Sequence, residues 1–192
     1  MANIRATRRS HLHRYSAGMT QPKTTAPTTW NIRTERAADH ASVRAVLLDA
    51  FPTAEEADLV EALRQDPAWV REFSLVAEVS GRVIGHVLMT RCTIGEHPAL
   101  ALAPVSVVEE FQRMGVGTSL SRAVLDVART AGESTVVVVG HPGYYPRFGF
   151  QTAADHGVTV PFEAPQEAVM VLALGADPIP AGMVRYAEAF GL

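Results

Sequence analysis

The chain has 192 residues, of which 47% are hydrophobic and 19% are charged. This length suits one globular core, and this composition excludes a fibrous or wholly disordered protein. The single cysteine, Cys92, excludes an internal disulfide framework and zinc sites of the CxxC type, so we expect a reducing, cytoplasmic location and no bound metal. Because the apolar runs are shorter than a membrane helix requires, we also expect no association with a membrane.

Charge divides the chain into a basic beginning and an acidic remainder. Residues 1–30 contain five of the 17 basic residues and none of the 20 acidic ones, so the remainder has 12 basic and 20 acidic residues and a net charge of −8. We predict a disordered basic extension over residues 1–29 and one folded domain over residues 30–192. A nucleic-acid-binding arm, or a leader upstream of a second start at Met19, are the alternatives for the extension. The acidic domain itself disfavours nucleic acid and favours a cationic ligand such as an amine.

The first half of the folded region predicts helices followed by a β-hairpin. Apolar residues recur with helical spacing up to Ala50, and Pro52 ends this helix because the residue before a proline avoids helical backbone angles. The predicted elements are a strand at Asn31–Thr34, a helix with Val43, Val46, Leu47 and Ala50 on its inner face, a helix at Ala54–Arg64, and a hairpin of Ser74–Val79 with Val83–Thr90.

The centre of the chain predicts two parallel strands joined by a helix. Pro104 interrupts the apolar strand Leu100–Val108, which therefore needs a bulge, a bend or one unpaired flank, because proline lacks a backbone donor. The run Thr135–Val139 contains four valines, as is typical of a strand buried on both faces. The helix between them has Leu120, Val124, Val127 and Ala128 on one face, which gives a right-handed βαβ unit. The prediction ends with two closing strands, Val158–Phe162 and Ala168–Leu174, and a short helix around Gly182–Phe190.

Two glycines lie where the predicted central strand gives way to the helix. At Gly115 and Gly117 no Cβ blocks the backbone N–H groups, and the helix N-terminus adds the positive end of its dipole. This arrangement is typical of an anion site, to which Arg113 would add a charge. The spacing matches neither the dinucleotide motif GxGxxG nor the P-loop, which requires a lysine that residues 30–192 lack. By themselves, the glycines are also typical of a tight turn.

Two segments, in order along the chain, resemble one family. Gln112-Arg113-Met114-Gly115-Val116-Gly117 matches the coenzyme A motif (Q/R)xxGx(G/A) of the GNAT superfamily of N-acetyltransferases, and Tyr145–Phe150 resembles that family's Yx(K/R)xGF segment. Leu59–Arg64, Leu75–Gly85 and Gly140–Phe150 are similar to a bacterial branch of predicted acetyltransferases with few assigned substrates. The resemblance spans residues 31–192. It implies an α/β fold with a mixed, mostly antiparallel sheet, a central parallel βαβ unit, splayed central strands and helices on both faces.

The resemblance also implies a function, an acetyl-CoA-dependent N-acetyltransferase in which a primary amine attacks the thioester directly within a ternary complex. Acetyl-CoA is the implied cosubstrate. It would lie on the turn before the helix and along the preceding strand, where the amide of Val107 or Val108 would stabilise the oxyanion. The implied coenzyme-binding residues are Val107, Val108, Gln112, Arg113, Met114, Gly115, Val116, Gly117 and Thr118.

Tyr145 and His141 are the candidate catalytic residues. Tyr145 occupies the family's tyrosine position and keeps its proton at neutral pH, so it is the candidate acid for the departing thiolate; the alternative is a packing role. His141 follows a buried parallel strand, where α/β sheets place ligands, and is the preferred candidate base. Glu78, His86, Glu96 and His97 are further candidate bases, and a water chain or no base at all stays open.

Two other functions are compatible with the same sequence. The domain can bind acyl-CoA as a non-catalytic sensor, or serve as an interaction scaffold whose basic extension reaches a partner. The acceptor, a small molecule or a peptide amine, is left open because the family's acceptor pocket comes from variable helices and loops. A homodimer is compatible with the sequence, which does not fix an oligomeric state.

Overall fold

The computed structural model describes residues 29–192, so residues 1–28 of the predicted basic extension lie outside the described part. The α-helices are α1 (His40–Ala50), α2 (Glu55–Leu63) and α3 (Val116–Thr130). The strands are β1 (Asn31–Thr34), β2 (Trp69–Val79), β3 (Arg82–Ile94), β4 (His97–Val107), β5 (Thr135–Val139), β6 (Gln151–Thr152), β7 (Val158–Thr159), β8 (Val169–Ala173) and β9 (Gly182–Arg185).

The strands form a mixed sheet. Their order is β1-β2-β3-β4-β5-β8-β6, with β9 attached to β3 and β7 attached to β9. Along the main order, neighbouring strands are antiparallel except β4 and β5, which are parallel and are connected through α3. The predicted fold class, a mostly antiparallel sheet with a central βαβ unit, is confirmed.

Helices cover both faces of the sheet. Successive residues of a strand point to opposite faces. In β3, a Cβ on Gly85 would lie 2.9 Å from the Leu120 side chain of α3. The next residue, His86, lies on the other face, where it is 3.7 Å from Glu35, and Glu35 in turn binds Arg64 at the end of α2. Since α1 packs beside α2 and against β3 and β4, the sheet separates α3 from α1 and α2.

The valine-rich strand β5 lies in the covered centre of the sheet. Val136 and Val137 point to opposite faces, yet both are fully buried. Val136 belongs to the main core with the helices, and Val137 to a smaller core that includes Val171 of β8 and Val184 of β9. The prediction of a strand buried on both faces is therefore confirmed.

β4 contains an irregularity at the proline. Val105 pairs with Val87 and Leu102 pairs with Met89, so three residue steps in β4 oppose two in β3. The extra residue is a β-bulge in the segment Ala103-Pro104, where the missing donor of proline costs no ladder hydrogen bond. The sequence left a bulge, a bend and an unpaired flank open, and the structure has both the bulge and, on the β5 side, the unpaired flank.

The C-terminal segment differs from the prediction. Gly182–Arg185 is strand β9 and not part of a helix, and only Glu188–Phe190 forms a short 3-10 turn. Val184 is buried and pairs with Ile94 of β3, whereas Met183 and Arg185 on either side are exposed, as expected from the two-residue period of a strand. This edge of β3 extends beyond β2 and supplies the partners, so a tertiary contact outweighs the local helical pattern. The closing strand expected at residues 158–162 is also shorter, spanning only Val158–Thr159.

Candidate active site

A cleft of about 880 Å³ opens where β4 and β5 separate. The two strands pair only at Leu100 with Val136 and at Ala101 with Val137, and they diverge beyond these pairs. Four parts of the chain line the cleft: the second half of β4, the turn before α3, the segment 139–147 after β5, and the junction of α1 and α2. Because α3 lies on one face of the sheet and α1 with α2 on the other, the cleft connects the two faces.

The turn before α3 leaves backbone N–H groups without partners in the helix. Arg113 and Gly115 have positive φ angles of 60° and 99°, so the chain turns sharply before the helix begins at Val116. The first backbone hydrogen bond of α3 runs from Ser119 N–H to the Gly115 carbonyl at 2.9 Å, so the amides of residues 116–118 have no intrahelical acceptor. No side chain of residues 29–192 caps this N-terminus, and no acidic residue lies in its first turn. These amides and the helix dipole are suited to an anion.

Gly117 brings the backbone of α3 against side chains of the cleft. A Cβ at this position would lie 3.3 Å from Tyr144 Oη and 3.6 Å from Val107 Cγ2. Tyr144 Oη is also 3.3 Å from Ser121 Oγ, one helical turn further along α3. The Arg147 guanidinium lies 4.7 Å from the centre of the Tyr144 ring. The turn and the segment after β5 therefore meet across the cleft.

The last residues of β4 direct their backbone groups to alternate sides. Val108 N–H donates to the Ile84 carbonyl of β3 at 3.0 Å and is therefore engaged within the sheet. Because backbone groups alternate along an antiparallel strand, the Val107 N–H points away from β3, towards the cleft. The Val107 carbonyl accepts a hydrogen bond from Gln112 Nε2 at 3.0 Å. Of the two amides considered for the oxyanion, only that of Val107 faces the cleft.

Most of the coenzyme-binding candidates surround the cleft. Those that line it are Val107, Gln112, Arg113, Gly115, Gly117 and Thr118, and the catalytic candidates His141 and Tyr145 join them. The side chains of Val108 and Val116 are buried in the core, and that of Met114 is exposed outside the cleft. Val108 and Val116 could therefore contact a coenzyme only through main-chain atoms.

Tyr145 belongs to an aromatic cluster at the wall of the cleft. Its ring centroid is 5.0 Å from that of Tyr144 and 5.6 Å from that of Phe150, both in edge-to-face geometry. A Cβ on Gly140 would collide with Tyr145 Cε2, so the ring fits only because residue 140 has no side chain. Burial, with a smaller contribution from Tyr144, raises the pKa of the Tyr145 phenol to about 12, so it is protonated at neutral pH. Sequence reasoning missed the role of Gly140, although it lies in a segment that carries the resemblance.

His141 lies on the exposed side of the cleft. Its Nδ1 accepts a hydrogen bond from the Gly143 N–H at 3.1 Å. The neutral ring then carries its proton on Nε2 and presents a donor, not a lone pair, to its surroundings. The other candidate bases, Glu78, His86, Glu96 and His97, do not line the cleft.

A second polar cluster is buried between β2, β3 and α2. Glu35 is 3% exposed and accepts hydrogen bonds from Ser74 Oγ and, at 2.5 Å, from Arg64 Nη2. His86 is fully buried, with its Nε2 3.0 Å from Ser74 Oγ. Burial by itself would raise the pKa of the Glu35 carboxyl, but the hydrogen bonds and charges of His86, Ser74 and Arg64 outweigh burial and lower it to about 2. Burial lowers the pKa of His86, although the neighbouring Glu35 carboxylate acts in the opposite direction.

Glu56 is the single carboxylate among the cleft-lining residues in the described part of the chain. It lies in the first turn of α2, and its Oε2 is buried without a hydrogen-bond partner in residues 29–192. The sequence indicates no site role for Glu56, because the helix dipole is sufficient to explain an acidic first turn. No sequence signal separates Glu56 from its neighbour Glu55, which is exposed.

Residues 41–150 match the acetyltransferase (GNAT) family. The chain is 39% identical over 160 residues to the uncharacterized N-acetyltransferase YjhQ of Escherichia coli K12, an alignment that covers 79% of this chain and 88% of that protein. The structure of YhbS from Escherichia coli in complex with CoA is similar, with a TM-score of 0.82, 30% identity, and coverage of 88% of this chain and 96% of that chain. A GNAT family acetyltransferase from Brucella melitensis in complex with acetyl-CoA has a TM-score of 0.71 and 35% identity, covering 85% and 99%.

The chain therefore belongs to the GNAT family of N-acetyltransferases. The family match spans more than half of the chain, so the resemblance indicated by the two motifs is confirmed. Within residues 29–192, no helix is long and apolar enough to cross a membrane. In the same residues, no three His, Cys, Asp or Glu side chains are grouped as metal ligands.

Proposed function

We propose that the protein transfers the acetyl group of acetyl-CoA to a primary amine, which attacks the thioester directly while both substrates are bound. The observation that carries this proposal is the cleft between β4 and β5, which joins the turn before α3 to the α1–α2 junction on the opposite face. This route lets the coenzyme enter from one face of the sheet and the amine from the other. CoA and acetyl-CoA in the similar structures from Escherichia coli and Brucella melitensis support the identity of the coenzyme.

The turn before α3 would hold the diphosphate of the coenzyme. The amides of residues 116–118 have no helical acceptors, and Gly117 has no side chain to keep a phosphate away from them. Arg113 is exposed at this turn and adds a positive charge. Val116 would contribute only main-chain atoms, since its side chain is buried in the core, whereas the side chain of Met114 is exposed.

The pantetheine arm would extend along β4 as an added strand. Beyond Ala101, β4 has no strand partner on the β5 side within residues 29–192, so its backbone groups there are available. The Val107 N–H faces this gap and would donate to the thioester oxygen as negative charge develops on it. The hydrogen bond from Gln112 Nε2 to the Val107 carbonyl would hold the end of the strand in place.

Tyr145 would assist the departure of sulfur. The amine nitrogen bonds to the carbonyl carbon, the C–S bond breaks, and the CoA thiolate receives a proton. A thiol has a pKa of ~8.5, well below the value of about 12 for Tyr145, so proton transfer from Tyr145 alone is uphill. The transfer becomes favourable when the proton released by the attacking nitrogen replaces the one that Tyr145 gives up. Tyr145 is thus restored within the same turnover.

Water in the cleft is the simplest carrier for the proton that the amine loses before attack. His141 lines the cleft, but its Nδ1 is occupied by the Gly143 N–H. It can accept a proton only after that hydrogen bond breaks, so we expect His141 to act chiefly as a hydrogen-bond donor from Nε2.

Calorimetry with acetyl-CoA, combined with mass spectrometry of an amine panel, tests the proposal. We expect saturable binding of acetyl-CoA, and an acetylated amine formed together with one equivalent of free CoA thiol. Binding of acetyl-CoA without turnover of any amine would favour the non-catalytic sensor. No binding at all would favour the interaction scaffold and contradict the proposal.

A further inference from the structure

Glu56 has a carboxylate oxygen without a partner, and the proposed acetyl transfer gives this residue no role. Its Oε2 is buried at the cleft and finds no hydrogen-bond partner in the part of the chain that the structure describes. An unpaired buried carboxylate oxygen is costly, because it loses hydration without gaining a protein partner. Because Glu56 lines the cleft, rotation of its carboxylate would bring this oxygen to a partner in the molecule that occupies the cleft.

The other acidic residues of α2 form ion pairs or are exposed to solvent, so the unpaired buried oxygen is particular to Glu56. Asp58 and Glu61 both form ion pairs with Arg44 of α1, at 2.9 Å and 3.1 Å. Glu55 is exposed to solvent. A cation is thus available to this helix, yet Glu56 lines the cleft and forms no ion pair with Arg44.

The charged groups of the cleft are separated by sign. Arg113 and Arg147 lie in the turn before α3 and in the segment after β5, whereas Glu56 lies at the α1–α2 end. The positive end suits the diphosphate of the coenzyme, and the negative end suits a cation. Since α2 and α3 cover opposite faces of the sheet, Glu56 meets the molecule that enters opposite the coenzyme.

We propose that Glu56 binds a positively charged group of the acceptor other than the reacting nitrogen, so that the preferred acceptor is an amine with a second positive charge. This inference rests on the proposed function. A carboxylate held against the reacting nitrogen would stabilise its protonated form, which cannot attack a thioester. A second cationic group keeps its charge throughout the reaction, so its contact with Glu56 orients the free amine without retaining its proton. Phe51 lines the same end of the cleft and offers an apolar wall for the spacer between the two groups.

Matched pairs of amines test this inference. Putrescine is compared with butylamine, and cadaverine with pentylamine, because each pair differs only in the second amino group. We expect the wild-type protein to have a kcat/KM for each diamine about tenfold or more above that for its monoamine, the usual scale of one ion pair in a partly dry site. In Glu56→Gln this ratio should fall to about two, the statistical factor for two equivalent amino groups, whereas the matched control Glu55→Gln should keep the wild-type ratio.

The affinity for acetyl-CoA separates failure of this inference from failure of the proposed function. We expect the same dissociation constant for acetyl-CoA in the wild-type, Glu56→Gln and Glu55→Gln proteins. Acetylation without preference for the diamines, or a preference that Glu56→Gln retains, would overturn the inference and leave the proposed function intact. Absence of acetyl-CoA binding in the wild-type protein would instead contradict the proposed function.

Thermal unfolding distinguishes a binding role of Glu56 from a structural one. Glu56→Gln should not lower the unfolding midpoint, because its buried Oε2 makes no hydrogen bond within residues 29–192. Glu56→Asp keeps the charge and should restore part of the preference for diamines. A lowered midpoint with equal loss of activity on both members of each pair would assign Glu56 to the fold and overturn the inference.

Discussion

Glu35 and Glu56 are two carboxylates with buried oxygens, but their surroundings differ. Glu35 accepts hydrogen bonds from Ser74 and Arg64, whereas Glu56 Oε2 has no partner in residues 29–192. A carboxylate whose partners belong to the fold contributes to stability, because breaking the set leaves other buried groups unpaired. A carboxylate left unpaired at a cleft is available to a ligand.

The same contrast holds for the regions around these two residues. In the Glu35 cluster, side chains of the fold satisfy most of the polar groups, although His86 Nδ1 and Arg64 Nε lack partners in the described residues. In the cleft, the first amides of α3 and the Val107 N–H have no acceptors within helix or sheet. Substitutions in the cluster should therefore reduce stability, and substitutions in the cleft should reduce activity.

The largest expected effect is on stability, in Glu35→Ala. Removing the carboxylate leaves the Arg64 charge buried without its partner, which typically costs about 3 kcal/mol in the free energy of unfolding. Urea denaturation followed by circular dichroism measures this change. Glu55→Ala, on the exposed side of α2, is the control and should change the free energy by less than about 0.5 kcal/mol. A stable Glu35→Ala protein that no longer turns over amines would reverse the contrast between the two regions.

The pH dependence of unfolding sharpens the same prediction. The pKa of Glu35 is about 2 in the folded protein, below its ordinary value of 4.5, so its contribution is complete above about pH 4.5 and is lost as the pH falls towards 2. Burial lowers the pKa of His86, which adds a loss of stability in the same direction as the pH falls below the ordinary value of 6.5. In Glu35→Gln, the free energy of unfolding should depend less on pH below 4.5 than in the wild-type protein. An unchanged pH dependence would contradict the assigned charge of Glu35.

Next in size is the effect of Tyr145→Phe on turnover. Loss of the proton donor to sulfur should lower kcat about 100-fold, the lower range for general acid catalysis, with little change in acetyl-CoA affinity. Steady-state kinetics and calorimetry measure the two quantities. Tyr186→Phe is the control, because Tyr186 is largely buried outside the cleft and its Oη has no partner in the described residues. Loss of folding in Tyr145→Phe, with kcat retained by the folded fraction, would indicate that Tyr145 only packs.

Gly117→Val is expected to weaken the binding of acetyl-CoA, by a smaller factor than the change in kcat of Tyr145→Phe. The side chain would keep phosphate from the amides of α3 and press on Tyr144 Oη, so the dissociation constant for acetyl-CoA should rise about tenfold or more, as for one charge-assisted hydrogen bond. Gly175→Val is the matched control, since a Cβ at Gly175 meets nothing within 4 Å. Unchanged binding in a folded Gly117→Val protein would contradict the diphosphate site.

The smallest effect is expected for His141→Gln. Because the Gly143 N–H occupies Nδ1, His141 has no free lone pair in its neutral form, and kcat/KM should change less than about threefold. The pH–rate profile is the measurement. A loss of tenfold or more, with the disappearance of one ionisation from the profile, would make His141 the base after all.

The sequence predicted the turn before α3 and the strands beside the cleft better than the C-terminal segment and the α1–α2 junction. The turn at Gly115 and Gly117, the valine strand β5 and the irregularity at Pro104 each depend on residues close together in the chain, whose backbone preferences act wherever the segment lies. The C-terminal segment was predicted wrongly, because β9 exists only through its pairing with β3. Gly140 and Glu56 gave no local signal, since the role of each depends on a side chain or a cleft that another segment supplies.

By itself, the sequence determined the family, the mixed sheet and the glycine turn before α3, because hydrophobic period, proline and glycine act locally. The tertiary structure alone decided that Val107 and not Val108 turns its amide to the cleft. It also decided that the Glu35 carboxylate has hydrogen-bond donors, whereas Glu56 Oε2 has none within residues 29–192. Those distinctions depend on strand register and on which distant side chains come within hydrogen-bond distance, and a local sequence pattern predicts neither.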